Sequence, residues 1–305
     1  MGQTSRPVTA TVSAPQPSGT RLVLRSSTTW ATIGTAGAAV LSLTDRETGV
    51  DFLLRTPWAD EDWTDDHPSP STSETWHRRY PGGWHTLIPH AGEDRVAGGV
   101  SHPFHGEAAW RRWRVEAVDE DSCELSVLLR TVPLAVSRRF ELVDGVLTVT
   151  QTVTNVSRAP VSITWTEHPA LGDVFVSPAT TVDIDGRRID LEFPAEGDSW
   201  GGFRTERVAA SGSAEVRNPE TGAHARLDWD RRLFPFAHVW QEHRTASFPW
   251  WGAVSGFAIE PACREYWPDG DALGPLIVEG GAALSTGFTL AVGLSGGEEP
   301  GRHRR

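Results

Sequence analysis

Between Cys123 and His168 the chain runs through C-E-L-S-V-L-L-R, L-A-V-S-R-R-F-E-L, L-T-V-T-Q-T-V-T-N and V-S-I-T-W-T-E-H. Apolar and polar residues alternate with the period of two that marks a half-buried strand. Val143-Asp144-Gly145 and Asn155–Pro160 fall between runs, where hairpin turns belong. In the third run Leu147, Val149 and Val153 share one face, while Thr148, Thr150, Thr152 and Thr154 share the other. This predicts four consecutive strands forming an antiparallel meander, wet on one side and buried on the other.

The same signal recurs along the chain. Strands are expected at 22–24, 38–43, 50–54, 180–185, 225–229, 236–240, 256–260 and 284–294, and no segment sustains a helical period. Trp58–Ser73, acidic and rich in Pro and Ser, reads as a long loop near a site mouth or as a disordered insert. Residues 1–20 read as a flexible leader without a secretory signal, and residues 296–305 as a charged, flexible tail. Between them, 21–295 is expected to form one all-β domain, a large antiparallel β-sandwich.

Composition narrows the chemistry. The chain has no lysine, which removes Schiff-base mechanisms, a Walker lysine and lysine general bases. A formal charge of −12 argues against nucleic acid and anionic membranes as partners. No apolar run approaches the ~18 residues that span a bilayer. Cys123 and Cys263 lack metal-ligand spacing and read as reduced thiols of a cytoplasmic protein. Fourteen tryptophans against two tyrosines suit either a sheet core or the stacking of sugar rings.

Three stretches concentrate polar groups at strand ends. In V-S-I-T-W-T-E-H-P-A-L-G (161–172), Val161, Ile163 and Trp165 face one way, and Ser162, Thr164, Thr166 and His168 the other. Pro169 should stop this strand just after the imidazole. In S-H-P-F-H-G-E-A-A-W-R-R-W (101–113), alternation would set His102 and His105 on opposite faces, so a metal site with Glu107 is not expected. His105-Gly106 reads instead as an imidazole on a turn. In G-F-A-I-E-P (256–261), Glu260 ends an apolar strand before Pro261. Desolvation in such a place raises a carboxyl pKa, as a general base requires. Other templates fail: G-A-V-S-G (252–256) misses the nucleophile elbow by one residue, and Asp228, Asp230 and Glu260 show no spacing that favours a glycosidase pair.

In order and rough spacing these stretches resemble the aldose 1-epimerase (galactose mutarotase-like) superfamily, in the divergent branch that includes hexose-6-phosphate mutarotase-type proteins. The matching residues are Gly82-Gly83-Trp84…Pro89, His105-Gly106…Trp110, Ile163…His168-Pro169-Ala170-Leu171 and Ala258-Ile259-Glu260-Pro261, within residues 20 to 294. The resemblance implies a β-supersandwich whose concave face binds one sugar. It further implies His168 as proton donor to the ring oxygen, Glu260 as base on the anomeric hydroxyl and His105 as an assistant at the ring oxygen. No metal or cofactor is implied. Two departures point away from a phosphorylated sugar. Ala109 replaces the arginine of the family's H-G-F-x-R, and Arg79 lies one residue out of register with the arginine that precedes G-G.

The resulting expectation is a mutarotase acting on a monosaccharide, a monomer or homodimer, with catalytic His168, Glu260 and His105. Sugar contacts are expected from Arg79, Trp84, His85, His90, Trp165 and Trp240. Two rivals stand beside it: a non-catalytic carbohydrate-binding or regulatory protein on the same scaffold, and another sugar-active enzyme such as a lyase or hydrolase.

Overall fold

Alternating strands with one apolar face bury it most economically against a second such sheet, and the chain does this with long antiparallel runs. The structure, a computed structural model, describes residues 20–61, 69, 71–193, 199–266 and 272–295. The expected leader and tail lie outside these residues, apart from Thr20. One sheet has eight strands, in the order Arg21–Arg25, Thr29–Gly34, Val40–Asp45, Trp84–Leu87, Thr166–Leu171, Ser255–Ala262, Phe236–His243, Trp200–Arg207. The other has nine and is built around Val146–Asn155, Leu134–Val143 and Ala283–Leu294. A continuous apolar core joins them, with Trp84 from the first sheet and Trp165, just before its strand Thr166–Leu171, meeting Phe288 from the second.

The expected meander holds for Ser122–Leu128, Leu134–Val143 and Val146–Asn155, which pair in sequence. The fourth run does not follow them. It divides at Thr164-Trp165: Val161–Ile163 pairs with Leu276–Val278 in a small ribbon, and Thr166–Leu171 crosses into the eight-stranded sheet. The expected strand at 50–54 forms only isolated bridges, from Asp51 to Thr44 and from Leu53 to Leu171. Thr29–Gly34, not anticipated, is a full strand between its neighbours.

Pro169 does not end its strand, which runs to Leu171. Pro261 likewise lies inside Ser255–Ala262. The two strands pair at Thr166 with Ala262 and again at Ala170 with Ala258, with no ladder pairing between. A proline has no N–H to give a ladder, so the two prolines sit where this seam is open. A helix, Thr72–Arg79, also appears where periodicity gave no warning. Ser71 caps it by accepting the Glu74 N–H at 3.2 Å, the arrangement that S-x-x-E announces.

Candidate active site

Directly opposed residues of antiparallel strands point to the same face. Across the eight-stranded sheet Thr205 opposes His238, His238 opposes Glu260, and His168 opposes His85. The register on either side of the proline gap sets His168 opposite Glu260. One lateral row, Thr205–His238–Glu260–His168–His85, therefore crosses five strands on the face turned away from the core. Above it, helix Thr72–Arg79 and the turns at 91–93 and 104–106 leave a cavity of about 270 Å³. That is at the small end of ligand pockets and suits a single sugar ring better than a large ligand.

His168 and Glu260 form the centre of the floor, with Nε2 and Oε1 3.4 Å apart. Both are buried. Burial pushes the Glu260 carboxyl well above its usual value, and burial, with a smaller effect of the His77 charge, holds His168 down to about 4. The two directions have one meaning: burial favours the arrangement of the pair in which neither group is charged. Tyr80, kept a phenol by burial and by the Glu260 charge, places its hydroxyl 3.4 Å from His168 Nδ1. When that hydroxyl donates, the imidazole carries its proton on Nε2, facing Glu260.

His105 is held by a two-way clasp. Its N–H donates to Gly92 O at 2.9 Å, and the Gly92 N–H donates to its Nδ1 at 3.0 Å. An Nδ1 that accepts leaves the proton on Nε2, so His105 offers the cavity an N–H donor. Burial, reinforced by the nearby imidazoles, keeps this ring's pKa well below its usual value. The clasp demands a left-handed backbone at His105 (φ 64°) and Gly106 (φ 76°). A Cβ on Gly106 would lie 2.5 Å from the Ile88 backbone, so only glycine fits there.

The walls are aromatic. Trp240 packs 5.8 Å from His168 and 5.8 Å from Trp250, ring centre to ring centre, and Phe203, Phe104 and Tyr266 also line the space. No arginine lines it among the described residues. Among the described residues the acidic side chains at its surface are Glu93 and Glu260.

Of the residues expected from sequence, the cavity brings together His168, Glu260, His105 and Trp240. Trp84 and Trp165 are elsewhere. Both are fully buried between the sheets, where their indole N–H groups donate to Glu167 at 2.7 and 2.9 Å. The reason is strand geometry: Trp84 neighbours His85, and Trp165 is three residues from His168, so each falls on the opposite face. His85 belongs to the row but is roofed by Trp76 and Tyr80, with Nε2 2.8 Å from Gly82 O. His90 is buried beside His102. Arg79 closes its helix outside the cavity lining. Glu107 spans to the Arg130 and Thr131 N–H groups at 2.7 and 2.6 Å, a loop clasp. Sequence reasoning missed Tyr80, His77, His238 and Trp250; the alternation in F-A-H-V-W places His238 on a face without saying which face is the site.

No family model and no curated protein matches the sequence. Solved structures do match the fold. A galactose mutarotase related enzyme from Lactobacillus acidophilus is 14% identical with a TM-score of 0.66, covering 90% of this chain and 97% of its own. A galactose mutarotase-like protein from Lactobacillus casei is 16% identical with a TM-score of 0.64, covering 90% and 100%. An aldose epimerase homologue from C. elegans is 12% identical with a TM-score of 0.65, covering 90% and 99%. The fold is thus the galactose mutarotase-like β-sandwich. At these identities the likeness is one of fold, and the chemistry must be argued from the site. Among the described residues no helix is long and apolar enough to cross a membrane.

Proposed function

We propose that this chain is an aldose 1-epimerase, interconverting the α and β anomers of a neutral hexose by acid–base ring opening. The observation that carries this reading is the His168–Glu260 pair, 3.4 Å apart on the floor of a cavity of about 270 Å³ with aromatic walls. Anomer exchange acts on two oxygens bonded to one carbon, so its acid and base must be neighbours. Glu260 as carboxylate takes the O1 proton, the C1–O5 bond breaks, and His168, as an imidazolium protonated on both nitrogens, delivers its Nε2 proton to O5 and is left neutral. The aldehyde turns about its C1–C2 bond and closes by the reverse steps. In the ring-opening step one proton moves, through the sugar, from imidazolium to carboxylate. Ring closure returns it.

Burial favours the uncharged arrangement of the pair, the one left once the ring has opened, so the proton transfer itself relieves the buried ion pair from which it starts. The Nε2–H of His105, 6.1 Å from His168 between ring centres, is placed to donate to the same ring oxygen. Aromatic walls suit the C–H faces of a pyranose. The absence of an arginine lining among the described residues supports a neutral sugar over a phosphorylated one.

The test is polarimetry of freshly dissolved α-D-glucose and α-D-galactose. Acceleration by the wild type, lost in Glu260→Gln with the circular dichroism spectrum unchanged, is the expected result. A wild type that accelerates neither sugar, or a Glu260→Gln variant as fast as wild type, overturns the reading.

A further inference from the structure

We propose that His238 is a specificity residue that hydrogen-bonds the substituent on C2 of the sugar. The inference rests on the mutarotase reading and deepens it. His238 stands directly across from Glu260 in the ladder, on the side away from His168, so the three side chains are ordered His168, Glu260, His238 at strand spacing. The anomeric carbon bears O5, O1 and C2. With His168 serving O5 and Glu260 serving O1, the next position along the row falls at C2.

The ring is built for such a contact. It is 2% exposed. Its Nδ1 is 2.9 Å from Thr205 Oγ1, which fixes the ring's orientation. Phe203 at 5.2 Å, tilted, and Tyr266 at 6.2 Å, edge-to-face, pack against it, centre to centre. Nε2 has no protein partner among the described residues, and the ring lines the cavity. Burial, with the His168 and Arg264 charges, keeps it neutral, with a pKa of about 3. A neutral imidazole anchored at Nδ1 offers Nε2 to a hydroxyl. An analogue without that hydroxyl leaves a buried nitrogen unpaired, and sites of this kind reject such analogues strongly.

The experiment compares kcat/KM for D-glucose and 2-deoxy-D-glucose in wild type, His238→Phe and His238→Gln, by polarimetry. The ratio of the two sugars is the readout, because lost folding or a smaller active fraction scales both rates alike. Wild type is expected to prefer glucose by roughly tenfold or more. His238→Phe should bring the ratio near unity, and His238→Gln, which keeps a polar group, should retain part of it. Glu260-dependent acceleration with the same ratio in wild type and His238→Phe overturns the role of His238 alone. No acceleration of either sugar by the wild type overturns the mutarotase reading and this role with it.

Discussion

Glu167 and Glu260 are both buried glutamates, on adjacent strands of one sheet, and they face opposite ways. Glu167 points into the core and is fully partnered. Arg138, itself 0% exposed, donates to it at 2.9 Å, and the indoles of Trp84 and Trp165 add two more hydrogen bonds. Among the described residues Glu260 has one long polar contact, to His168 at 3.4 Å, and burial drives its carboxyl toward the protonated form. Burial is common to both, so burial alone does not make a base. What separates them is the set of partners: a carboxylate balanced by a guanidinium ties two sheets together, while one left short of partners can exchange a proton.

Exchanging the roles of these two residues gives the largest effects. Glu260→Gln should lower the mutarotation rate by about 10²–10⁴-fold with little change in melting temperature, read by polarimetry and thermal denaturation. Glu167→Gln should do the reverse. It leaves Arg138 buried without a counter-charge, at a cost of about 3–5 kcal/mol, measurable in urea unfolding, while the fraction still folded turns over normally. If both variants lost activity at unchanged stability, the distinction between the two glutamates would collapse.

The two tryptophan settings give a smaller contrast. Trp165→Phe removes one hydrogen bond to a charged acceptor and should cost about 1.5–3 kcal/mol of stability, leaving KM alone. Trp240→Phe, on the cavity wall, should leave stability near wild type. An aromatic contact of about 0.5–1.5 kcal/mol predicts that KM rises roughly two- to tenfold. At neutral pH the least change is expected from the buried imidazoles, whose effect grows only as the solution is acidified. Burial lowers His85 to about 3 and His90 and His168 to about 4. The unfolded chain therefore takes up protons that the folded one refuses, and stability present above about pH 6.5 is lost as pH falls toward 4. Glu260, raised on folding, works in the opposite sense above its usual value. Replacing His85 by Asn should flatten the acid side of the stability–pH curve by about 1.4 kcal/mol per pH unit; an unchanged slope would show that His85 is not protonated on unfolding.

Much of the fold could be read from alternation, because a sheet with one wet face writes its period into the chain. Ala223–Trp229, Phe236–His243, Ser255–Ala262 and Ala283–Leu294 each lie within three residues of expectation at either end. Helix Thr72–Arg79 was hidden by its length and by its Ser-rich approach, although Ser71-Thr72-Ser73-Glu74 carried the capping signal. For the site, His168, Glu260 and His105 were legible from motif order. Trp84 and Trp165, unlike Trp240, were misjudged because indole stacking was weighed without the face each one occupies. The alternation that set Trp165 opposite His168 already contained that information. His238 and Tyr80 could not be found this way, since what brings them to the pair is lateral register in one case and a helix end in the other.

The open seam at Pro169 and Pro261 has a mechanical consequence. Along most of this sheet neighbouring strands are stitched by the backbone, and separating two of them breaks hydrogen bonds. Between His168 and Glu260 there are no ladder pairs to break, so the strands can spread at that one point like cloth left unsewn for a few stitches. A sugar's two oxygens need room between an acid and a base that stand 3.4 Å apart. The prolines make that room available without loosening the hem on either side.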